Sequence, residues 1–376
     1  MKAGWEVKEL SECLHAFKIS TKVPKKKFKT KGDFPIISQE ADFINGYWDA
    51  EEDACTVKKP IVIFGDHTQV TKYVDFDFVV GADGVKVLNP KAFLAAKFLK
   101  YFIEANPMPS LGYARHYRHM KSLPIPLPPL EEQKRIVSIL DEAFEGLDRA
   151  RENAEANLKS ARELFEGYLA TIFVKQEETW SKYKLGSLCK RITVGFVGPM
   201  AHKYQDEGIP FLRSQNVRPF EIDLKGIKYI DSTFNEKLKK SKLLPGDVAI
   251  VRTGYPGTAA SIPESLGQAN CSDIVIATPG ERLLTEFLVM FLNSDFGKRL
   301  VAAKSVGAAQ KHFNVTAAKA VDFPTPTIQE QEHIVKTASR RKEECLNLEA
   351  LYNSKLQDIS DLRQSLLQKA FAGELT

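Results

Sequence analysis

The chain has 376 residues, enough for two or more domains with ordinary cores. With 43% hydrophobic and 27% charged residues it reads as a folded chain, not a disordered one. No apolar run approaches the ~18 residues of a membrane span. Five cysteines (Cys13, Cys55, Cys189, Cys271, Cys345) are odd in number, widely spaced and never in a Cys-x-x-Cys pair. That argues against a disulfide framework or a zinc site and for a reducing cytoplasm. The start, MKAGWEVKELSECLHAF, lacks the apolar stretch of a signal peptide.

The net charge of +5 is unevenly spread. Residues 1–124 hold 19 Lys+Arg against 15 Asp+Glu, and residues 176–322 hold 20 against 15. Residues 125–175 (7 against 10) and 323–376 (7 against 8) are acidic. A polyanion such as nucleic acid would meet the first and third segments.

In the first segment, Trp5-Glu-Val-Lys-Glu-Leu opens the chain and six lysines fall within Lys22–Lys31. Lys25, Lys26 and Lys27 are the candidates there for phosphate contact. KPIVIFGDH (59–67) reads as a buried strand ending in a turn, and YVDFDFVV (73–80) alternates as one strand, with Gly81 and Gly84 forming the next turn. AFLAAKFLKYFIE (92–104) has helical spacing. A polar stretch, Arg115, His116, Tyr117, Arg118 and His119, then leads to a proline elbow.

IPLPPLEEQKRIV, opening at Ile125, recurs 198 residues later as FPTPTIQEQEHIV, opening at Phe323, with six of thirteen positions identical. The same offset pairs Leu164 with Leu362, Leu169 with Leu367 and Phe173 with Phe371. Such self-similarity predicts globule, long helix, globule, long helix. Prolines stiffen each elbow, and Glu131 and Glu132 suit a helix N-terminus. Heptad tracks follow, through Ile136, Leu140, Leu147 and Leu164 in one copy and Ile334, Leu348, Tyr352, Ile359 and Leu362 in the other. Matching stripes of this kind can bury each other, with Asn157 and Lys355 as polar register sites. Roughly 37 residues at about 1.5 Å each make a ~55 Å spacer.

The third segment opens with Trp180-Ser-Lys-Tyr-Lys-Leu, an offset of 175 from the first. IPFLRSQNV (209–217) and GDVAIVRTG (246–254) read as strands ending in residue types that read base edges. CSDIVIATP (271–279) reads as a further strand, TEFLVMFLNSDFGKRLV (285–301) as one helix, and GAAQKHFNV (307–315) follows. The candidates are Arg213, Gln215, Asn216, Arg252 with Thr253, Lys311 and His312.

Catalytic signatures are absent from the sequence. There is no Gly-x-x-x-x-Gly-Lys-Ser/Thr loop and no Asn/Asp-Pro-Pro-aromatic motif of a base-flipping adenine methyltransferase. Seven histidines form no ligand cluster.

Taken together, the paired elbows, the two Trp openings and the strings FLRSQNV, GDVAIVRTGYPGTAASIPE, ANCSDIV, FLNSDFG and GAAQKHFNV resemble the specificity (S) subunit of type I restriction–modification enzymes. GDHTQVTKYVDFDFVVGADGVKVL and GYARHYRHMKSLPIPLPPLEEQ look like another recognition domain of that family. Ser214 and Tyr255 lie in the strings of the third segment, and His67, Thr68 and Lys72 in those of the first, so they join the candidates. The resemblance implies an α+β fold with a pseudo-twofold repeat. Target-recognition domains would occupy 1–124 and 178–322, and spacer helices, paired as an antiparallel coiled coil, 125–177 and 323–376. It implies a non-catalytic subunit reading bipartite double-stranded DNA beside two methyltransferase (M) subunits and translocase/endonuclease (R) subunits. S-adenosylmethionine, ATP and magnesium would belong to those partners. The competing reading is a coiled-coil scaffold or an orphan DNA-binding protein.

Overall fold

The computed structural model describes residues 4–82, 84–109, 115–175, 179–305 and 312–375. The chain divides into two compact units, Met1–Glu155 with Asn353–Thr376, and Ala156–Tyr352. The two long helices, Leu130–Lys175 and Ile328–Ala372, each contribute residues to both units.

In the first unit, an antiparallel sheet takes the order Leu14–His15, Val85–Pro90, Ile61–Gly65, Thr71–Val74. A mixed sheet takes the order Lys22–Val23, Val79–Gly81, Phe34–Ile37, Gly46–Trp48. All five residues of Ile61–Gly65 are buried, which is why this segment reads as an unbroken apolar run. The segment 73–80 is not one strand. It is the end of Thr71–Val74 and the start of Val79–Gly81, because Asp75 and Asp77 place turn chemistry between them.

The second unit repeats the plan with a different sequence. Its antiparallel sheet runs Cys189–Val194, Ile274–Pro279, Val248–Val251, Ala259–Ser261. Its mixed sheet runs Lys242–Leu243, Ala269–Cys271, Ile209–Leu212, Lys228–Ile230. The outer strand of the mixed sheet differs: Lys22–Val23 joins in parallel, Lys242–Leu243 antiparallel. The expected single helix 285–301 is two, Thr285–Asn293 and Asp295–Lys304, because Ser294 stops the first and caps the second by accepting from Gly297 N.

The openings and elbows form matching ribbons. Glu6–Glu9 pairs antiparallel with Pro124–Leu127, and Ser181–Lys184 with Asp322–Thr325. Glu6 faces Leu127 as Ser181 faces Thr325, so the register is the same in both copies. The prolines fit because each elbow strand is an edge, where a missing N–H breaks no ladder. Thr327 then caps the second long helix in a reciprocal box with Glu330 (2.8 and 3.3 Å), which lowers the Glu330 pKa.

Each unit buries the closing turns of one long helix against the same element of its globule. Phe371 stacks on Phe98 and Phe102 of Ala96–Ala105 at 4.9 and 5.5 Å. Phe173 lies on Phe287 and Phe291 of Thr285–Asn293 at 5.6 and 5.5 Å. The helices also meet one another antiparallel. In the first unit Asp148 bonds Arg363, whose guanidinium covers the Phe144 ring. In the second, Arg162 reaches Glu349 while Tyr168 carries Arg341.

The buried stripe departs from the heptad track. Ile136 and Leu140 are buried and Leu147 is half-buried, but Leu164 is 55% exposed and Phe165, Leu169 and Phe173 are buried instead. Ile334, Leu348, Tyr352 and Ile359 are half-buried, whereas Leu362 is 50% exposed and Leu367 is buried. A strict seven-residue repeat drifts ~20° per heptad on a straight helix, about 80° over the four heptads from Ile136 to Leu164. Asn157 and Lys355 are exposed and set no register from within the stripe.

Candidate nucleic-acid interface

In the second unit, three loops meet at one end of the sheets. The first follows strand Ile209–Leu212: Ser214–Asn216 form a single 3-10 turn, closed by Asn216 Oδ1 accepting from Arg213 N at 3.1 Å. The second follows Val248–Val251 and carries Arg252 and Thr253. The third approaches the short helix Val315–Lys319 and carries His312.

Asp273, at φ +52°, joins the first two. Its carbonyl accepts from Ser214 Oγ at 3.0 Å and its Oδ1 from Arg252 Nη1 at 2.9 Å. Thr253 Oγ1 and His312 Nδ1 lie 3.0 Å apart, and Phe313 N donates to Arg252 O at 3.0 Å. Five sequence candidates, Arg213, Ser214, Arg252, Thr253 and His312, therefore come together. Gln215 and Tyr255 are exposed, Tyr255 at 84%. Lys311 lies outside the described residues.

Both arginines of this set are already engaged. Arg213 donates from Nη2 to Gly226 O at 2.9 Å and packs over the Tyr204 ring, and Arg252 faces Asp273. The Nε atoms of both are buried without a hydrogen-bond partner among the described residues.

The first unit places its candidates on the corresponding loops. Ser38–Asn45 follows strand Phe34–Ile37, His67–Thr68 follows Ile61–Gly65, and Arg115–Tyr117 leads into the helix Tyr117–Met120. Ser38 N donates to Asn45 Oδ1 at 2.8 Å, as Arg213 N does to Asn216. Gln39 ties the first two loops: its carbonyl accepts from Thr68 Oγ1 at 2.7 Å and its Oε1 from His67 N at 3.3 Å. Asp66 ties in the third, its Oδ1 accepting from Tyr117 N at 2.7 Å and its carbonyl from His116 N at 2.9 Å. Arg115, Arg118, Lys25, Lys26 and Lys27 are exposed, with Lys25 paired to Glu40 at 3.2 Å. The Tyr117 phenol is raised by burial and by Asp66.

Three candidates are internal groups. Lys72 is 4% exposed and bonded into loop 38–45; His116 is 1% exposed with Nδ1 on Asp66 O; Asn216 is fully buried, with Nδ2 on Asp223 O at 2.9 Å. Each satisfies backbone groups of a loop, because a tight turn needs such bonds more than a surface does. Gln39, Asp66 and Asp273 were not among the candidates. Their signals were slight: a polar residue just after an apolar run, or an aspartate at a strand bend.

The five cysteines are free; burial raises their thiol pKa values, that of Cys189 to about 12. Among the described residues no group of three or more His, Cys, Asp or Glu could hold a metal, and no helix is long and apolar enough to cross a membrane.

A family model for the type I restriction modification DNA specificity domain matches residues 2–158. The Escherichia coli type I restriction enzyme EcoBI specificity subunit is 25% identical over 285 residues, 69% of this chain and 60% of that subunit. The chain thus spans three-fifths of the length of that relative. The Escherichia coli EcoR124I/EcoR124II specificity subunit is 26% identical, over 80% of this chain and 78% of its own. Two solved structures share the fold. A chain solved for complex assembly and conformational transition of a type I R-M system gives a TM-score of 0.76 at 19% identity, covering 99% of both chains. The HsdS subunit from Thermoanaerobacter tengcongensis gives 0.59 at 20% identity, covering 100% of this chain and 98% of its own.

Proposed function

We propose that this chain belongs to the specificity-subunit family of type I restriction–modification systems, to which it is similar, and that it is the DNA-recognition subunit of such a system. Each globule reads one half of a bipartite duplex target. The observation that carries this reading is one loop arrangement repeated on two unlike surfaces. Three loops converge in both units, with Arg213, Gln215, Arg252 and His312 in one and Gln39, His67, Thr68, Arg115 and Arg118 in the other. Equal frames with different polar side chains suit two different half-sites. Exposed Lys25–Lys27 supply phosphate contact that carries no sequence information.

Chemistry belongs to partners in this reading. Methyltransferase subunits modify adenine with S-adenosylmethionine, and translocase/endonuclease subunits use ATP and magnesium. The chain itself directs them in the cytoplasm and catalyses nothing. Methylome sequencing of cells that hold the chain with its cognate methyltransferase tests this. A two-part methylated motif that vanishes on deletion of the chain is expected; a methylome unchanged by the deletion overturns the reading.

A further inference from the structure

In the first unit the loop between strands Phe34–Ile37 and Gly46–Trp48 is fastened by a buried cation. Lys72 belongs to strand Thr71–Val74, where it faces Ile63. Its Nζ donates to Asp42 O, to Asn45 Oδ1 at 3.1 Å and, more distantly, to Phe43 O at 3.4 Å. Asn45 completes the knot: Oδ1 also accepts from Ser38 N, and Nδ2 donates to Asp42 O at 3.1 Å. One ammonium and one amide thus hold the start, the turn and the end of Ser38–Asn45. Gln39, which carries the His67–Thr68 turn, sits inside that span. The corresponding turn of the second unit is closed by Asn216, whose Oδ1 accepts from Arg213 N and whose Nδ2 donates to Asp223 O.

We propose that Lys72 is a positioning residue for recognition: it shapes Ser38–Asn45 so that Gln39 and the His67–Thr68 turn meet one half-site. This deepens the DNA-recognition reading and rests on it. The atoms that Lys72 bonds are neutral, so no direct ion pair offsets the loss of hydration. Burial accordingly lowers its pKa to about 8, against the opposing pull of Asp42 and Glu40. Glu40 is itself paired with Lys25 at the surface. A side chain serving the core alone would be apolar, as Ile61, Ile63 and Val74 beside it are. What the lysine adds is donors, and all of them go to the loop.

The test uses the full chain together with its cognate methyltransferase, with methylated motifs sequenced for wild type, Lys72→Met, Asn45→Ala and Asn216→Ala. Lys72→Met and Asn45→Ala should both relax the same half-site by roughly tenfold or more, the loss expected when a base contact is mispresented. Asn216→Ala should relax the other half instead. Thermal unfolding of Lys72→Met should be unchanged or raised, which separates positioning from a core role. Retained discrimination in folded Lys72→Met and Asn45→Ala overturns the proposal, as does equal relaxation of both halves. A wild-type complex without any two-part motif overturns the recognition reading itself, and this proposal with it.

Discussion

Gln133 and Gln331, 198 residues apart in the chain, make the same three hydrogen bonds in their respective units. Both are fully buried. Gln133 Oε1 accepts from Ala95 N at 2.9 Å, and its Nε2 donates to Phe93 O and Pro128 O at 2.8 and 2.9 Å. Gln331 Oε1 accepts from Leu284 N at 2.9 Å, with Nε2 on Arg282 O and Pro326 O, both at 3.0 Å. Each amide joins the proline elbow to the loop that starts a helix of its globule, and so fixes the angle at which the long helix leaves.

Replacing either glutamine with leucine strands one buried N–H and two carbonyls. At about 1–3 kcal/mol for an unsatisfied buried group, with partial relaxation, the loss should be roughly 2–5 kcal/mol. Hydrogen exchange resolved along the chain would show Gln133→Leu loosening Ala95–Ala105 and Gln331→Leu loosening Leu284–Asn293. Full protection in both variants would mean that the elbows are held by the ribbons alone.

Asp273 should act as a brake on nonspecific binding. It neutralises Arg252 at the convergence of three loops. Asp273→Ala would free a guanidinium for phosphate, steepening the salt dependence of random-duplex binding by about one ion. Discrimination at the second globule's half-site should fall, because Ser214 also rests on the Asp273 turn. Titration of random and cognate duplexes at several salt concentrations checks both. An unchanged slope would show that Arg252 stays buried without its partner.

Much of this architecture could be read before any coordinates. The elbows, the matching openings and the two long helices rest on local chemistry that repeats, namely prolines, apolar spacing and a Trp-led strand. The identity Gln133/Gln331 was visible too, but not its role, since its partners Ala95 and Leu284 lie in segments without sequence likeness. The common sheet plan of the globules was hidden for the same reason: a buried strand needs only apolar residues, so Ile61–Gly65 and Val248–Val251 share a position without sharing a sequence. Among the candidate residues, the placement of Arg213 and Arg252 at strand ends was legible. Asp273 and Asp66 were not, because their effect comes from joining loops distant in sequence.

The drift of the helix stripe gives a paired comparison. Phe165→Ala should cost about 3–5 kcal/mol and Leu367→Ala about 2–5 kcal/mol, as expected for large buried side chains. Leu164→Ala and Leu362→Ala should change stability by ~0.5 kcal/mol at most, as exposed positions do. Denaturant unfolding of the four variants decides the matter. A cost at Leu164 equal to that at Phe165 would restore the strict heptad track.

Lys72 also gives the first unit a pH signature of definite sign. Its folded pKa of about 8 lies below the ordinary 10.5, with burial as the leading cause. Below pH 8 both folded and unfolded chains hold the proton, and the full cost of burying the ammonium is present. Between about pH 8 and 10.5 the unfolded chain binds more protons than the folded one, so raising pH favours folding. Above that window the contribution is constant. The stability of wild type minus that of Lys72→Met should therefore rise from pH 8 to pH 10, the subtraction removing groups common to both. Denaturation midpoints at pH 7, 8, 9 and 10 supply the measurement. A flat or falling difference would show that the Lys72 ammonium is hydrated, and that the Ser38–Asn45 loop is not closed over it in solution.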